Sequence, residues 1–191
     1  MNTPIQLIVG LGNPGAQYEH TRHNVGAWFI ESIVAHFNLT LRIESKFQGR
    51  LARLCQGEQV CWLLIPSTYM NQSGLAVQAV AHYYKIDPQA ILVAHDELDF
   101  PAGDIRLKQS GGHGGHNGLR DIINRLQTSA FNRLRIGIDH PGHRDQVTPY
   151  VLGAPSLADK ERIDGAIHQA LQLMPEFLTG DLQGAFRKLH Y

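Results

Sequence analysis

Histidine, aspartate and asparagine, the residues that can move or direct a proton in neutral water, cluster in this chain just after apolar runs that read as strands. After Ile5–Leu11 come Gly12-Asn13-Pro14-Gly15, then Tyr18, His20 and Thr21-Arg22-His23-Asn24. After the run ending at Ile65 comes Pro66-Ser67-Thr68-Tyr69-Met70-Asn71-Gln72-Ser73-Gly74. After Leu92-Val93-Ala94 comes His95-Asp96-Glu97-Leu98-Asp99, and after Ile105–Gln109 comes the glycine-rich stretch from Ser110 to Gly118. In open α/β sheets, sites lie just past the carboxyl ends of strands, so these four loops are expected to converge.

Several chemistries can be weighed on that basis. No G-x-S-x-G elbow is present, which argues against a serine nucleophile on an α/β-hydrolase sheet. Cys55 and Cys61 are the only cysteines, and both fall in apolar strand-like runs where a thiol is normally inert. An imidazole–carboxylate pair remains, and His23 with Asp96 is the best candidate. A neutral imidazole can take a proton from water when a carboxylate fixes its tautomer and stabilises the cation. The bland alternative for His95-Asp96-Glu97 is a solvated turn. His20-x-x-His23 and His113-x-x-His116 raise a metal hydrolase as a second reading. Such pairs usually sit on a helix with further ligands, whereas these sit in loops. Gly10-Leu11-Gly12-Asn13-Pro14-Gly15 matches the dinucleotide fingerprint, yet Pro14 and a polar stretch delay the helix to about Asn24, away from any pyrophosphate. A tight turn exposing Asn13 is the simpler reading. Asn13, Asn71 and Asn117 suit helix caps or turns, and equally suit recognition of a peptide amide.

The elements that must carry these loops alternate. Strands are expected at Ile5–Leu11, Gly49–Cys55, Val60–Ile65, Ala90–Ala94, Ile105–Gln109 and Arg133–Ile138. Helices are expected at Asn24–Phe37 with Asn24 as N-cap, Asn71–Tyr84, Asn117–Leu126, a long Ser156–Leu178 and a short Asp181–Leu189. This pattern predicts an α/β fold: one domain over 1–191, with a twisted mixed, mostly parallel sheet flanked by helices. The chain has 191 residues with 43% hydrophobic and 18% charged, enough for a sizeable core and too little charge for disorder. Lys plus Arg equals Asp plus Glu at 17 each, which excludes a protein that coats nucleic acid by net charge. Locally the balance breaks. Arg106 to Arg135 holds six basic residues (Arg106, Lys108, Arg120, Arg125, Arg133, Arg135) and one acid, while Asp87 to Asp104 holds five acids and no Lys or Arg. The basic stretch flanks the glycine loop and could grip phosphate, or be a solvated face. No run suggests a signal peptide or membrane span, and two cysteines make no disulfide framework, so a reducing, cytoplasmic setting is expected.

Together these motifs resemble one family, the bacterial peptidyl-tRNA hydrolases. The resemblance rests on Val9-Gly-Leu-Gly-Asn-Pro-Gly15, Tyr18 with Thr21-Arg-His-Asn24, Pro66-Ser-Thr-Tyr-Met-Asn71 with Ser73-Gly74, and His95-Asp-Glu-Leu-Asp99 with Pro101. It continues through Gly114-Gly-His-Asn-Gly-Leu119 and Arg133-Leu-Arg-Ile-Gly137 with His140-Pro-Gly142, all in the family's order across residues 7–153. It implies a monomeric, cytoplasmic esterase of translation that needs no cofactor and no metal. Its partner would be peptidyl-tRNA, met at the acceptor end and 5′ phosphate, rather than DNA or a membrane, and its action would recycle tRNA from prematurely released chains. The family's catalytic base falls on His23, its orienting carboxylate on Asp96, and its reader of a blocked amino group on Asn13. Substrate contacts fall on Tyr18, Tyr69, Asn71 and Asn117, with Met70 and His116 as site lining. The clamp on the tRNA end phosphate falls on Lys108 and Arg135. Tyr69 stands where the family more often has Phe, and Asp139 where it commonly has Gly. A non-catalytic RNA- or nucleotide-binding module using the same loops is the other functional class these residues allow.

Overall fold

A computed structural model of the chain describes residues 3–189. Its strands are β1 (Leu7–Gly10), β2 (Arg42–Glu44), β3 (Gly49–Gln56), β4 (Gln59–Pro66), β5 (Ile91–Glu97), β6 (Ile105–Gln109) and β7 (Asn132–Gly137). They form one sheet in the order β2-β3-β4-β1-β5-β7-β6. The four central strands β4-β1-β5-β7 run parallel, while the flanking pairs β2–β3, β3–β4 and β6–β7 are antiparallel. The expected mixed sheet is therefore parallel at its centre and antiparallel at both edges.

The helices are α1 (Val25–His36), α2 (Ser73–Tyr84), α3 (Asn117–Leu126), α4 (Val147–Val151), α5 (Leu157–Leu171), α6 (Met174–Thr179) and α7 (Leu182–Leu189). Side chains alternate across a strand, and β1 shows the consequence. Ile8 joins one core with Phe29, Ile30 and Ile33 of α1, Ile167 of α5 and Phe177 of α6. Leu7 and Val9 join the other with Val77 and Val80 of α2 and Ile122 of α3. Burial on both faces explains why the central strands read as unbroken apolar runs.

The glycines of the apparent dinucleotide fingerprint have a packing reason. A Cβ on Gly10 would lie 2.3 Å from the carbonyl oxygen of Gly26, and one on Gly26 would lie 2.2 Å from that of Ala94. The start of α1 thus presses backbone to backbone on β1 and β5, and only glycine allows it. That approach carries the one-turn 3-10 segment Arg22–Asn24 to the carboxyl end of β5.

Some elements differ from expectation. β5 runs on to Glu97, because Leu92 through Glu97 pair in parallel with Asn132 through Gly137. His95 and Asp96 are therefore strand residues, both under 5% exposed, and not a solvated turn. The long helix expected over Ser156–Leu178 breaks after Leu171, and Pro175 sits in the first turn of α6, where its missing N–H is tolerated. Asn24 holds the expected N-cap position of α1, but its side chain makes no capping bond; Asn71 precedes the N-cap residue Gln72 of α2, and α3 is capped by His116 rather than Asn117. Cys55 is exposed, while burial pushes the Cys61 thiol up to about 12. β2 and α4 carry too little periodic signal to be expected from sequence. Asp139 does adopt the left-handed region (φ 67°), where glycine is favoured.

Candidate active site

The carboxyl ends of β1, β5 and β7 open into a cleft of about 920 Å³. Its wall includes Asn13, His23, Tyr69, Met70, Asn71 and Asp96, together with His116, Asn117, Lys108 and Arg135. Four loops far apart in sequence do converge. Tyr18 is the exception: it does not line the cleft but stands behind Tyr69, the two rings meeting edge to face at 6.3 Å.

At the floor, Asp96 is shared by two histidines. His23 Nδ1 lies 2.9 and 2.8 Å from its two oxygens, and His116 Nε2 lies 2.8 Å from Oδ1. The roles of the ring nitrogens follow from their partners. His116 Nδ1 accepts from the backbone N–H of Gly118 (3.1 Å) and Leu119 (3.4 Å), so the proton of the neutral ring sits on Nε2 and is donated to Asp96. His23 donates through Nδ1, which leaves its Nε2 as the free basic nitrogen. His95 lies alongside and donates from Nδ1 to the backbone oxygen of Asp96 at 2.7 Å.

The charges follow. Burial alone would raise the Asp96 carboxyl, but the two imidazoles outweigh it and hold the group well below the usual carboxylate range. Burial pulls His23 down, yet the charge of Asp96 and its hydrogen bond win, and the net value lies above 6.5. His95 is pressed down to about 3 by burial, then by His116, so it is neutral at working pH.

Asn13 is held on three sides. Its backbone N–H donates to Asn24 Oδ1 (2.8 Å), and its carbonyl accepts from Asn24 Nδ2 (3.0 Å). Its side-chain oxygen accepts from the Met70 N–H at 2.7 Å, which leaves the Nδ2 amide as the group free to donate. Asn24, expected as a cap, instead aims Asn13. Asn117 Oδ1 accepts from Arg120 at 2.9 Å.

The basic wall holds Lys108, Arg120, Arg133, Arg135 and Arg144. Arg135 is paired to Glu97 at 2.8 Å. Lys108 has no ion pair among the described residues. A further wall from residues 144–152, including Arg144, Val147 and Leu152, had no readable signal.

The chain matches the sequence profile of peptidyl-tRNA hydrolase over residues 7–191. It is 59% identical over 190 residues to a peptidyl-tRNA hydrolase of Coxiella burnetii (strain RSA 331 / Henzerling II), covering 100% of each. It is 48% identical to one of Neisseria meningitidis serogroup C (strain 053442), covering 100% of this chain and 99% of that one. The crystal structure of the Acinetobacter baumannii peptidyl-tRNA hydrolase superposes with a TM-score of 0.94 at 46% identity, over 97% of this chain and 94% of that one. The chain belongs to the peptidyl-tRNA hydrolase family.

The structure also shows how the two histidine pairs divide. His23, Asp96 and His116 offer ligand atoms within 4.8 Å of one another, a set that could be read as a metal centre. The hydrogen bonds oppose that reading. Both ring nitrogens of His116 are committed, Nδ1 as acceptor and Nε2 as donor, so no lone pair faces a shared ion. Only one member of each sequence pair joins Asp96. His113 instead accepts from the Gly115 N–H within its own loop, and His20 lies outside the cleft.

Proposed function

We propose that this chain, acting as one monomeric, cytoplasmic domain, cleaves the ester joining the peptide to the 3′ ribose of peptidyl-tRNA, with water as the nucleophile. It is a hydrolase of an ester bond by family. The observation that carries the mechanism is the His23–Asp96 bond at the floor of an open cleft.

With Nδ1 occupied by Asp96, neutral His23 takes a proton from water through Nε2 as the oxygen attacks the ester carbonyl. The tetrahedral intermediate expels the ribose oxygen, and the imidazolium returns its proton to that oxygen. Asp96 remains an anion throughout and stabilises the cation, the role such a carboxylate plays beside any general base. An ester leaves more readily than an amide, so no covalent intermediate is required. Asn13 Nδ2 donates to the first peptide carbonyl of the substrate. Tyr69, Met70, Asn71 and Asn117 line the substrate path, Tyr18 supports Tyr69, and His116 steadies Asp96. Lys108 and Arg135 meet the 5′ phosphate beside the acceptor end. The outcome is recycling of tRNA from chains released early by the ribosome.

Hydrolysis of N-blocked aminoacyl-tRNA, with and without a chelator, tests this reading. Turnover that survives the chelator and drops by ~10²–10⁴-fold in His23→Ala is expected. Turnover abolished by the chelator would restore the metal reading. Binding without turnover would leave an RNA-binding module.

A further inference from the structure

The glycine loop between β6 and α3 lines the cleft but packs against almost nothing. Ser110, Gly111, Gly114 and Gly115 have positive φ. A Cβ built on Gly112, Gly114 or Gly115 would meet no atom within 4 Å beyond its chain neighbours. Its internal bonds, from Gly115 N–H to His113 Nδ1 and from His116 N–H to the His113 oxygen, shape only its far end. Among the described residues, one side chain from outside reaches the backbone of 111–115. Arg133 donates from Nη2 to the carbonyl of Gly111 and from Nη1 to that of Gly112.

Arg133 is well placed for such a task. It is 2% exposed on β7, with its guanidinium over the Phe131 ring at 4.8 Å. It has no carboxylate partner among the described residues, since Glu97 is taken by Arg135. A buried guanidinium normally needs an anion; this one faces two neutral carbonyls. It also stands directly across the β6–β7 pair from Lys108, an opposition of like charges that costs stability. The fork sets Gly111 over Lys108: a Cβ at Gly111 would lie 3.0 Å from Lys108 Nζ and 3.6 Å from Arg133 Nη1.

We propose that Arg133 is a positioning residue that forks onto Gly111 and Gly112 to hold the glycine loop in the shape that receives substrate beside Lys108. The loop's shape stands on the geometry alone; its effect on substrate rests on the function proposed above. Glycine loses more freedom on ordering than any other residue, so an untethered loop would meet that cost at each binding event. His116, at the loop's end, is fixed separately by its bonds to Asp96 and to α3. The fork therefore acts on binding more than on the chemical step. Lysine keeps the charge but lacks the planar pair of donors.

The test compares wild type, Arg133→Lys and Arg133→Met. Hydrogen exchange at residues 111–115 should speed up ~10-fold or more in both variants, with β1 amides unchanged. On N-blocked aminoacyl-tRNA, KM should rise ~10-fold in both, with kcat within about threefold. Wild-type exchange and KM in Arg133→Lys would show that charge alone suffices and would overturn the proposal. So would unchanged loop exchange in both variants. Should the variants unfold, the wild-type protein decides: separate, slowly exchanging Arg133 guanidinium N–H resonances coupled to the Gly111 and Gly112 carbonyls are expected. Freely rotating, fast-exchanging ones would overturn the proposal. A wild type without turnover would sink the functional reading and leave the loop measurement intact.

Discussion

His116 Nε2 lies 2.8 Å from Asp96 Oδ1 while the same ring, through Nδ1, caps the first turn of α3. One imidazole thus ties the carboxylate to a helix end and fixes its own tautomer in doing so. The two jobs can be separated by substitution. Asparagine is among the best N-cap residues but is too short to reach Asp96. His116→Asn should keep α3 capped while kcat falls roughly tenfold. Both replacements leave the buried carboxylate short of a donor, but His116→Ala also loses the cap and should be about 0.5–2 kcal/mol less stable than His116→Asn. Thermal melts beside turnover rates check the split; equal destabilisation by both variants would show that the Asp96 bond, not the cap, holds the helix.

That double role illustrates where the sequence stopped being informative. The α/β alternation, the core strands and the convergence of four loops followed from apolar runs and polar loop ends, because buried parallel strands leave that signature. His23 and Asp96 could be paired by elimination. The role of His116 could not, since histidine is not a preferred cap and its reach to Asp96 depends on the packing of α3. Asn24 does sit at the N-cap position of α1, but its side chain bonds the backbone of Asn13 across the loop, a contact that position alone does not reveal. Arg133 and Arg135 are two residues apart on one strand and indistinguishable by type; only the position of Glu97 decides which is paired. The break before α6 was missed, although Pro175 was there to mark it: the expected helix ran straight through that residue.

Above pH 6.5, activity and stability should respond to pH in opposite senses. His23 must be neutral to act as a base, and its value lies above 6.5. The rate should therefore climb through a midpoint above 6.5. Asp96→Asn removes the anion that raises His23, so the residual activity should show a lower midpoint. In the folded state the raised His23 contributes stability that is complete below 6.5 and is lost as pH rises through its folded value. His95 has the opposite sign: near 3 folded against 6.5 unfolded, it favours unfolding progressively as pH falls below 6.5, by ~1.4 kcal/mol per unit. Asp96, held well below its ordinary value, adds a loss only in stronger acid. Stability should peak near pH 6.5, and His95→Gln should flatten the acid side. A denaturant series across pH 4–9 checks this; a wild-type acid limb unchanged in His95→Gln would remove His95 from the explanation.

Lys108 and Arg135 should differ in what they give to tRNA. Arg135 is already partly neutralised by Glu97 at 2.8 Å, whereas Lys108 has no such partner among the described residues. Each phosphate contact contributes ~0.7–0.9 to the slope of log K against log salt. Lys108→Ala should reduce the slope by about that amount, and Arg135→Ala by less. Glu97→Gln should then tighten tRNA binding at low salt by releasing Arg135. Titrations at several salt concentrations measure all three, and weaker binding in Glu97→Gln would mean that Glu97 positions Arg135 for phosphate instead of competing for it.

Asn13 offers a sharper test, because its two side-chain atoms have different work. Oδ1 accepts from the Met70 N–H at 2.7 Å and so belongs to the loop; Nδ2 is the part left for substrate. Peptidyl-tRNA presents an amide carbonyl at the position where aminoacyl-tRNA carries a free, largely protonated amine. A donor at Nδ2 favours the first and repels the second. Asn13→Asp keeps the acceptor for Met70 and hence the loop, but it replaces the donor with an anion. The preference for blocked over free aminoacyl-tRNA should therefore narrow from both sides. It loses a hydrogen bond of ~0.5–1.5 kcal/mol to the blocked substrate and gains attraction to the ammonium of the free one. Asn13→Ala removes both atoms and should lose rate on both substrates with a smaller change in their ratio. The quantity to measure is kcat/KM for both substrates with all three proteins, since specificity is a difference of free energies. If Asn13→Asp lowers both values in equal proportion, Asn13 only shapes the loop, and discrimination must be sought elsewhere along the cleft.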